Sequence, residues 1–287
     1  MELYTPQFYS IRALENLHAG KGGVNLGKID NLVQRDAADN LPCINDTSMK
    51  GALKEYAKFV AGNDAAKYAD MVKFFGSDTD KENKRSDSDS AGTYSVQQAY
   101  LLTIPVRCSH KPFYRGTSLA VLNKLAERFS FFGYSGPLKK ELEVFINDII
   151  PQVDNCRGLV FEKGAENPAR YFEDFNITAK EAKGITVPAA VAAITGEDLV
   201  VFQDEDFSRL TNDEHLPATP RNKLENGESK NLWYEQLLPR ETRMFFTVLQ
   251  PVSDKGSTGF EDTYHDKVVQ IGANASVGYG WCHLQKF

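Results

Sequence analysis

Residues 7–17 read Gln7-Phe8-Tyr9-Ser10-Ile11-Arg12-Ala13-Leu14-Glu15-Asn16-Leu17, two alternating side-chain sets rich in aromatic and β-branched members. That pattern predicts an opening strand, because successive side chains of a strand point to opposite faces. Outward from it, His18 to Asn40 carries Gly20, Gly22, Gly23 and Gly27 with no sustained periodicity. A loop of that length inside a domain is usually functional, so 18–40 is the first place to look for chemistry. Thr47 and Ser48 offer caps to a helix predicted over Met49–Val60, where Lys50, Lys54 and Lys58 recur every fourth residue and share one face. A strand is expected through Tyr94–Val106, helices over Ser118–Phe131 and Leu138–Ile149, and short buried strands at Leu159–Phe161 and Leu199–Phe202. Further strands are expected at Arg243–Leu249 and Val268–Ile271. Between Asp204 and Glu235 the chain is polar, and Asn226-Gly227 signals a hairpin with no strongly apolar face, an arm that docks on something else. Strands near both ends, helices between them and no regular βαβ alternation point to an α+β fold with an antiparallel sheet.

A length of 287 residues allows one large or two small domains with ample core. Hydrophobic content of 41% and charged content of 25% exclude a fibrous or largely disordered chain. The longest apolar stretch, Ile185–Thr195, contains Pro188 and is too short to span a bilayer, so no membrane association is expected. Met1–Pro6 shows neither the basic nor the apolar part of a secretory leader. Cys43, Cys108, Cys156 and Cys282 are widely spaced, without a Cys-x-x-Cys pair, which fits a reducing, cytoplasmic setting and no structural zinc. Residues 77–93 hold no apolar residue before Ala91 and read as a mobile surface insertion. The net charge of −6 argues against a uniformly basic nucleic-acid coat. Much of that acid, however, lies in Asp78–Asp89 and in Asp204–Asp206, Asp213 and Glu214, away from Arg35, Lys50, Lys54 and Lys58. The balance therefore leaves room for a basic stripe on one face of the chain.

Two stretches carry candidate chemistry. In Thr47-Ser48-Met49-Lys50-Gly51, Lys50 falls at the start of the predicted helix, where free N–H groups and the helix dipole attract anions such as phosphate. The Gly-Lys order of a Walker loop is absent, which removes an ATPase reading. Near the C-terminus, Gly272 to Gly278-Tyr279-Gly280 permits close backbone approach and can aim N–H groups at phosphate oxygens.

Together these stretches resemble the RAMP superfamily of CRISPR proteins, and within it the repeated backbone subunit of the type III-B Cmr effector complex. The matching blocks are Leu17-His18-Ala19-Gly20, Ile29-Asp30-Asn31-Leu32-Val33-Gln34-Arg35-Asp36, Leu41-Pro42-Cys43-Ile44 and Ser48-Met49-Lys50-Gly51-Ala52-Leu53. Phe75-Gly76, Leu102 to Arg107, Leu232-Trp233-Tyr234-Glu235-Gln236-Leu237-Leu238-Pro239 with Glu241-Thr242, and Gln270 to Cys282 follow in family order. Leu32 stands where the family usually has proline, and Asp46 near a family glycine.

The resemblance implies one RAMP domain over 1–287, with a ferredoxin-like, RNA-recognition-type core, a helical insertion and a protruding β-hairpin thumb within 204–233. It implies copies stacked along a CRISPR RNA with other Cmr-type subunits, cleaving complementary target RNA at six-nucleotide intervals. The cleaving residue of the Ile-Asp-x-x-Val-Gln-Arg block would be Asp30, in a catalytic loop over 18–40. Asp30 can accept the 2′-hydroxyl proton or hold a divalent ion, Mg²⁺, and an ordinary carboxylate suits the ion better. His18 either donates to the leaving oxygen or orients the loop, and Glu235 and Tyr234 are either catalytic or hairpin packing. Arg35, Ser48, Lys50, Lys54, Gly278 and Gly280 are assigned to the RNA backbone, and Asp36 to pairing with Arg35. His110, His215, His265 and His283 are read as structural or surface residues. The alternatives are a guide-RNA scaffold that does not cut, the related type III-A backbone subunit, and a nuclease that processes guide precursor.

Overall fold

The computed structural model describes residues 3–23, 27–77, 90–162 and 169–287. The expected insertion at 77–93 lies, over 78–89, outside the described residues.

Strand β1 (Tyr4–Ala13) is the spine of the molecule. It is buried on both faces because Phe8 and Tyr9 face opposite layers. Phe8 meets Phe129 edge-on at 4.9 Å, whereas Tyr9 stacks on Phe246 at 5.3 Å and meets Phe260 at 5.8 Å. Burying aromatic side chains on both faces is a large apolar contribution, and pairing on both edges satisfies the strand's backbone as well.

The remaining strands are β2 (Cys43–Ile44), β3 (Ser95–Val96), β4 (Ala99–Val106), β5 (Tyr114–Ser118), β6 (Gly158–Val160) and β7 (Ala169–Phe172). They continue with β8 (Phe175–Glu181), β9 (Leu199–Phe202), β10 (Ala218–Glu225), β11 (Glu228–Gln236), β12 (Arg243–Pro251), β13 (Lys267–Gln270) and β14 (Trp281–Lys286). The helices are α1 (Asp46–Ala61), α2 (Ala65–Phe75), α3 (Leu119–Phe132), α4 (Pro137–Val153), α5 (Ala189–Thr195), α6 (Asp204–Leu210) and α7 (Gly259–Tyr264).

The large sheet runs β13-β14-β1-β12-β4-β5-β9-β6-β8-β7, with β2 added to β4 and β3 to β12. Strand β1 pairs antiparallel with β12 from Tyr4↔Pro251 to Arg12↔Arg243, and with β14 from Tyr9↔Lys286 to Ala13↔Cys282. The antiparallel expectation fails at β5–β9 and β6–β8, which are parallel. The reason is the chain's route: a long connection that includes α3, α4 and α5 separates β5 from β9 and lets them run in one direction, and β7, antiparallel to β8, reverses the chain between β6 and β8.

Three boundaries differ from the sequence reading. The strand expected over Tyr94–Val106 breaks after Val96, where Arg128 bonds the Gln97 side chain and Gln98 Nε2 donates to Asp36 Oδ2 at 2.9 Å. Helix α1 begins at Asp46, with Asn45 as its cap residue, because the Asn45 N–H is already taken by Gln34 Oε1 at 2.7 Å. Its core face is Met49, Leu53, Ala57 and Ala61, and Gly62 ends it at a positive φ of 49°. The segment 204–233 opens with helix α6, and the hairpin itself is β10–β11, a separate two-stranded sheet. Asn226 and Gly227 make its turn, both at positive φ (52° and 82°), as a two-residue hairpin loop requires. Leu224 and Leu232 on this hairpin are 62% and 55% exposed, so the arm leaves the body without burying a face.

Among the described residues no helix is long and apolar enough to cross a membrane. All four cysteines are free thiols.

Candidate active site

The loop after β1 folds back on itself as a short ladder. Lys21 N–H donates to the Leu32 carbonyl at 2.8 Å and Gln34 N–H to the Ala19 carbonyl at 2.9 Å, with Gly20 bridged to Val33. Gln34 locks this ladder to α1: its Nε2 donates to the Gly20 carbonyl and to Ser48 Oγ, each at 2.9 Å.

The far arm of the loop is fastened to the root of the hairpin. Asp30 and Asn31 N–H groups both donate to the Tyr234 carbonyl at 3.1 Å, and Tyr234 N–H donates to Asp30 Oδ2 at 2.8 Å. Asp30 is exposed, and its other carboxylate oxygen has no partner among the described residues. The Gln236 side chain, fully buried, accepts from Val33 N–H at 3.1 Å and donates to the Asp213 carbonyl at 3.0 Å. Its backbone carbonyl lies 2.7 Å from His18 Nδ1. A carbonyl only accepts, so Nδ1 carries the proton, and in the neutral form of the ring Nε2 is the acceptor.

Asp30, His18 and Glu235 thus line one cavity of about 430 Å³, with Gly20, Lys21 and Asn31. A Cβ on Gly20 would stand 3.0 Å from His18 Nε2, so that position keeps the imidazole edge open.

Glu235 is 6% exposed and surrounded by donors. Trp233 Nε1 reaches Oε1 at 2.9 Å and Asn31 Nδ2 the same oxygen at 3.5 Å. Asn274 Nδ2 reaches Oε2 at 2.7 Å, and Arg221 Nε lies 3.3 Å from it. Burial pushes its carboxyl up, but the Trp233 and Asn274 hydrogen bonds and the nearby His18 and Arg221 outweigh that and hold it below the usual carboxylate range. Glu235 also ties in the glycine-rich loop, since Asn274 sits there in the left-handed region (φ 67°). The Arg221 guanidinium lies 5.4 Å from the Tyr279 ring centre, a second link between loop and hairpin. Gly272 at φ 85° passes so close to His18 that a Cβ would meet its carbonyl at 2.5 Å.

The residues expected on the RNA backbone do not gather in this cavity. Arg35 is committed elsewhere: Nε to Asp213 Oδ1 at 2.7 Å, Nη1 to the Asn40 carbonyl at 2.7 Å and Nη2 to the Thr211 carbonyl at 2.9 Å. The expected Arg35–Asp36 pair is therefore replaced by Arg35–Asp213, and Asp36 accepts from Gln98 and lies 3.5 Å from Lys124. Lys50 is exposed but stands one turn further into α1 than the sequence reading placed it, because the helix starts at Asp46. Lys54 Nζ donates to the Ser77 carbonyl at 3.1 Å. The Ser48 hydroxyl accepts from Gln34, and Gly278 and Gly280 lie in the C-terminal loop at φ 88° and 78°. The Tyr234 side chain is 41% exposed, and its backbone does the joining.

Trp233, Gln236, Asn274, Arg221 and Lys21 escape the sequence reading. Trp233, Gln236 and Asn274 stood in the matching blocks without a role assigned to them, Lys21 carried the local signal of its flanking Gly20 and Gly22, and Arg221 carried none.

For a divalent ion the donor set offers one free oxygen, on Asp30, since both Glu235 oxygens are engaged. Among the described residues no three or more His, Cys, Asp or Glu side chains cluster to hold an ion. Such a donor set does not make a protein-built cage, but it fits Mg²⁺ shared between one carboxylate and substrate phosphates.

Comparison with known proteins follows this geometry. The chain is 26% identical to the CRISPR system Cmr endoribonuclease Cmr4 of Pyrococcus furiosus, over 98% of this chain and 94% of that protein. Its fold matches a chain of the type III-B Cmr-beta complex bound to cognate target RNA, with a TM-score of 0.77 at 20% identity over 100% of this chain and 98% of that one. It also matches oligomeric Cmr4 from Pyrococcus furiosus, with a TM-score of 0.67 at 19% identity, covering 98% and 97% of the two chains. The RAMP superfamily model matches residues 10–283, from inside the spine strand to the last strand of the sheet, and the chain belongs to that superfamily.

Proposed function

We propose that this chain is the repeated guide-RNA-binding backbone subunit of a type III-B effector complex, and that it cleaves complementary target RNA in the cavity beside Asp30. The observation that carries the reading is the three-bond junction between Asp30–Asn31 and Tyr234, which fixes the loop carboxylate at the root of an exposed hairpin. The likeness to the Pyrococcus endoribonuclease over nearly the whole of both chains supports the same activity.

The core is read as ferredoxin-like. Supporting this, β14-β1-β12-β4 are neighbours in antiparallel order, with α1 and α2 between β1 and β4 and α7 between β12 and β14. The β10–β11 hairpin is read as the thumb. Its two-stranded, exposed form suits an arm laid across a guide–target duplex, unstacking a nucleotide there and freeing its sugar for in-line attack.

In the chemistry proposed, the 2′-hydroxyl gives its proton to His18 Nε2, which the Gln236 carbonyl keeps in the accepting tautomer. The P–O2′ bond forms, the P–O5′ bond breaks, and the leaving oxygen takes a proton from solvent water. Asp30, pinned through Oδ2, keeps its other oxygen for the cavity. Together with RNA phosphates that oxygen would hold Mg²⁺, which supplies charge neutralisation at the phosphate when bound. Glu235, ionised and saturated with donors, orients the loop, the hairpin root and the Asn274 segment rather than carrying a proton. Lys50 and the 272–280 loop are proposed to bear on guide-RNA phosphates, and the cytoplasm is the proposed compartment.

The test is to assemble the chain with guide RNA and partner subunits and add labelled complementary RNA with Mg²⁺. Fragments at regular spacing are expected, and intact RNA would reduce the chain to a scaffold.

A further inference from the structure

The cavity that holds Asp30 and Glu235 is lined by two carboxylates, a hostile place for a phosphate unless a cation offsets them. Arg221 reaches Glu235 Oε2 and is spent on it. Lys21 also lines the cavity, and its ammonium has neither an ion pair nor a hydrogen bond among the described residues. Its backbone is not free to drift. The Lys21 N–H bond to the Leu32 carbonyl at 2.8 Å, beside the Gly20–Val33 bridge, sets its Cα against the arm that carries Asp30 and Asn31. The result is an anchored backbone carrying a solvated ammonium with no partner among the described residues, three residues beyond His18.

We propose that Lys21 is a catalytic residue of this chain: its ammonium donates to a non-bridging oxygen of the scissile phosphate and stabilises the charge that grows there. The inference rests on the cleavage reading above. In the step proposed, the P–O2′ bond forms as His18 takes the 2′ proton, P–O5′ breaks, and the leaving 5′ oxygen takes a proton from solvent water. Lys21 stays protonated throughout and changes only the energy of the phosphorane oxygens. An ammonium is suited to this as a compact point charge on a flexible stem. A donor enclosed away from water at such a position is worth roughly 10²–10³ in rate, and an exposed one like Lys21 is worth less.

The experiment uses assembled complexes under single turnover at saturating target. Lys21→Ala is expected to cut about 10- to 100-fold more slowly, with target affinity changed less than about threefold, and Lys21→Arg to recover most of the rate. Sulfur in place of a non-bridging oxygen at the scissile position is expected to slow wild type more than Lys21→Ala, because the variant has already lost the contact. A wild-type rate for Lys21→Ala, a loss confined to affinity, or equal sulfur effects in both proteins would overturn the proposal. Asp30→Ala in parallel separates the two readings. If it cuts like wild type, the cleavage-site reading falls and takes Lys21 with it. If it is inactive and Lys21→Ala is not impaired, only the Lys21 proposal fails.

Discussion

Replacing Glu235 by Gln tests whether this carboxylate is a structural hub. The side chain takes Trp233 and Asn31 on one oxygen and Asn274 and Arg221 on the other, at 2.9, 3.5, 2.7 and 3.3 Å. An amide of the same shape has one accepting end, so whichever way it turns its NH₂ faces either Trp233 or Asn274. One strong charge-assisted bond is lost, a buried donor is left unpaired, and the remaining bonds become neutral. At about 1.5–3 kcal/mol for a hydrogen bond to a charged group, partly offset by water at the Arg221 side, the cost is about 2–4 kcal/mol. For a domain of this size that is a fall in Tm of roughly 5–15 °C, read by thermal unfolding of the isolated chain. Because the Glu235 carboxyl is held below its ordinary range, its contribution is full above about pH 4.5, its unperturbed value, and is lost as pH falls through the lowered folded value. The Tm gap between wild type and variant should therefore close in acid. Unchanged Tm together with abolished cleavage would refute the argument, making Glu235 a proton carrier instead of a hub.

Other outcomes follow from the same geometry. Gly20→Ala sets a methyl 3.0 Å from His18 Nε2 and should cut cleavage about tenfold by obstructing that edge, while unfolding shifts by less than about 1 kcal/mol; an unimpaired rate would show that Nε2 does not meet the RNA. Arg35→Ala should destabilise the chain by about 2–4 kcal/mol, since three carboxylate or carbonyl partners lose their donor. It should leave the salt dependence of guide binding unchanged, whereas Lys50→Ala should lower that slope by about one in a log–log titration. Burial pushes the Cys43 and Cys282 thiols up to about 12, so a thiol reagent on native protein at pH 8 should label Cys108 and spare those two.

Much of the fold was legible because its signals are local. The aromatic alternation of Phe8 and Tyr9 marks a strand with two faces to bury, and Asn226-Gly227 marks a hairpin turn wherever two extended segments flank it. Helix α1 was misplaced by three residues at its start because a side chain from outside it, Gln34, fixes Asn45. The site divides the same way. Asp30 and His18 stand in one loop and were found together, but the partners that define their chemistry come from more than 200 residues away: Tyr234 for the carboxylate, the Gln236 carbonyl for the imidazole. Arg35 illustrates the opposite error. Beside Asp36 in sequence it reads as one half of a pair, yet neighbouring side chains diverge on an extended segment, and the fold delivers Asp213 to it.

The central claim is that Asp30, fastened to the hairpin root, is where target RNA is cut. The direct measurement is the fragment pattern of end-labelled complementary RNA after incubation with complexes built from wild type or from Asp30→Ala, assembled on the same guide. The account predicts regularly spaced fragments for wild type, intact RNA for the variant, and equal assembly of both. Regular fragments from a fully assembled Asp30→Ala complex would contradict it.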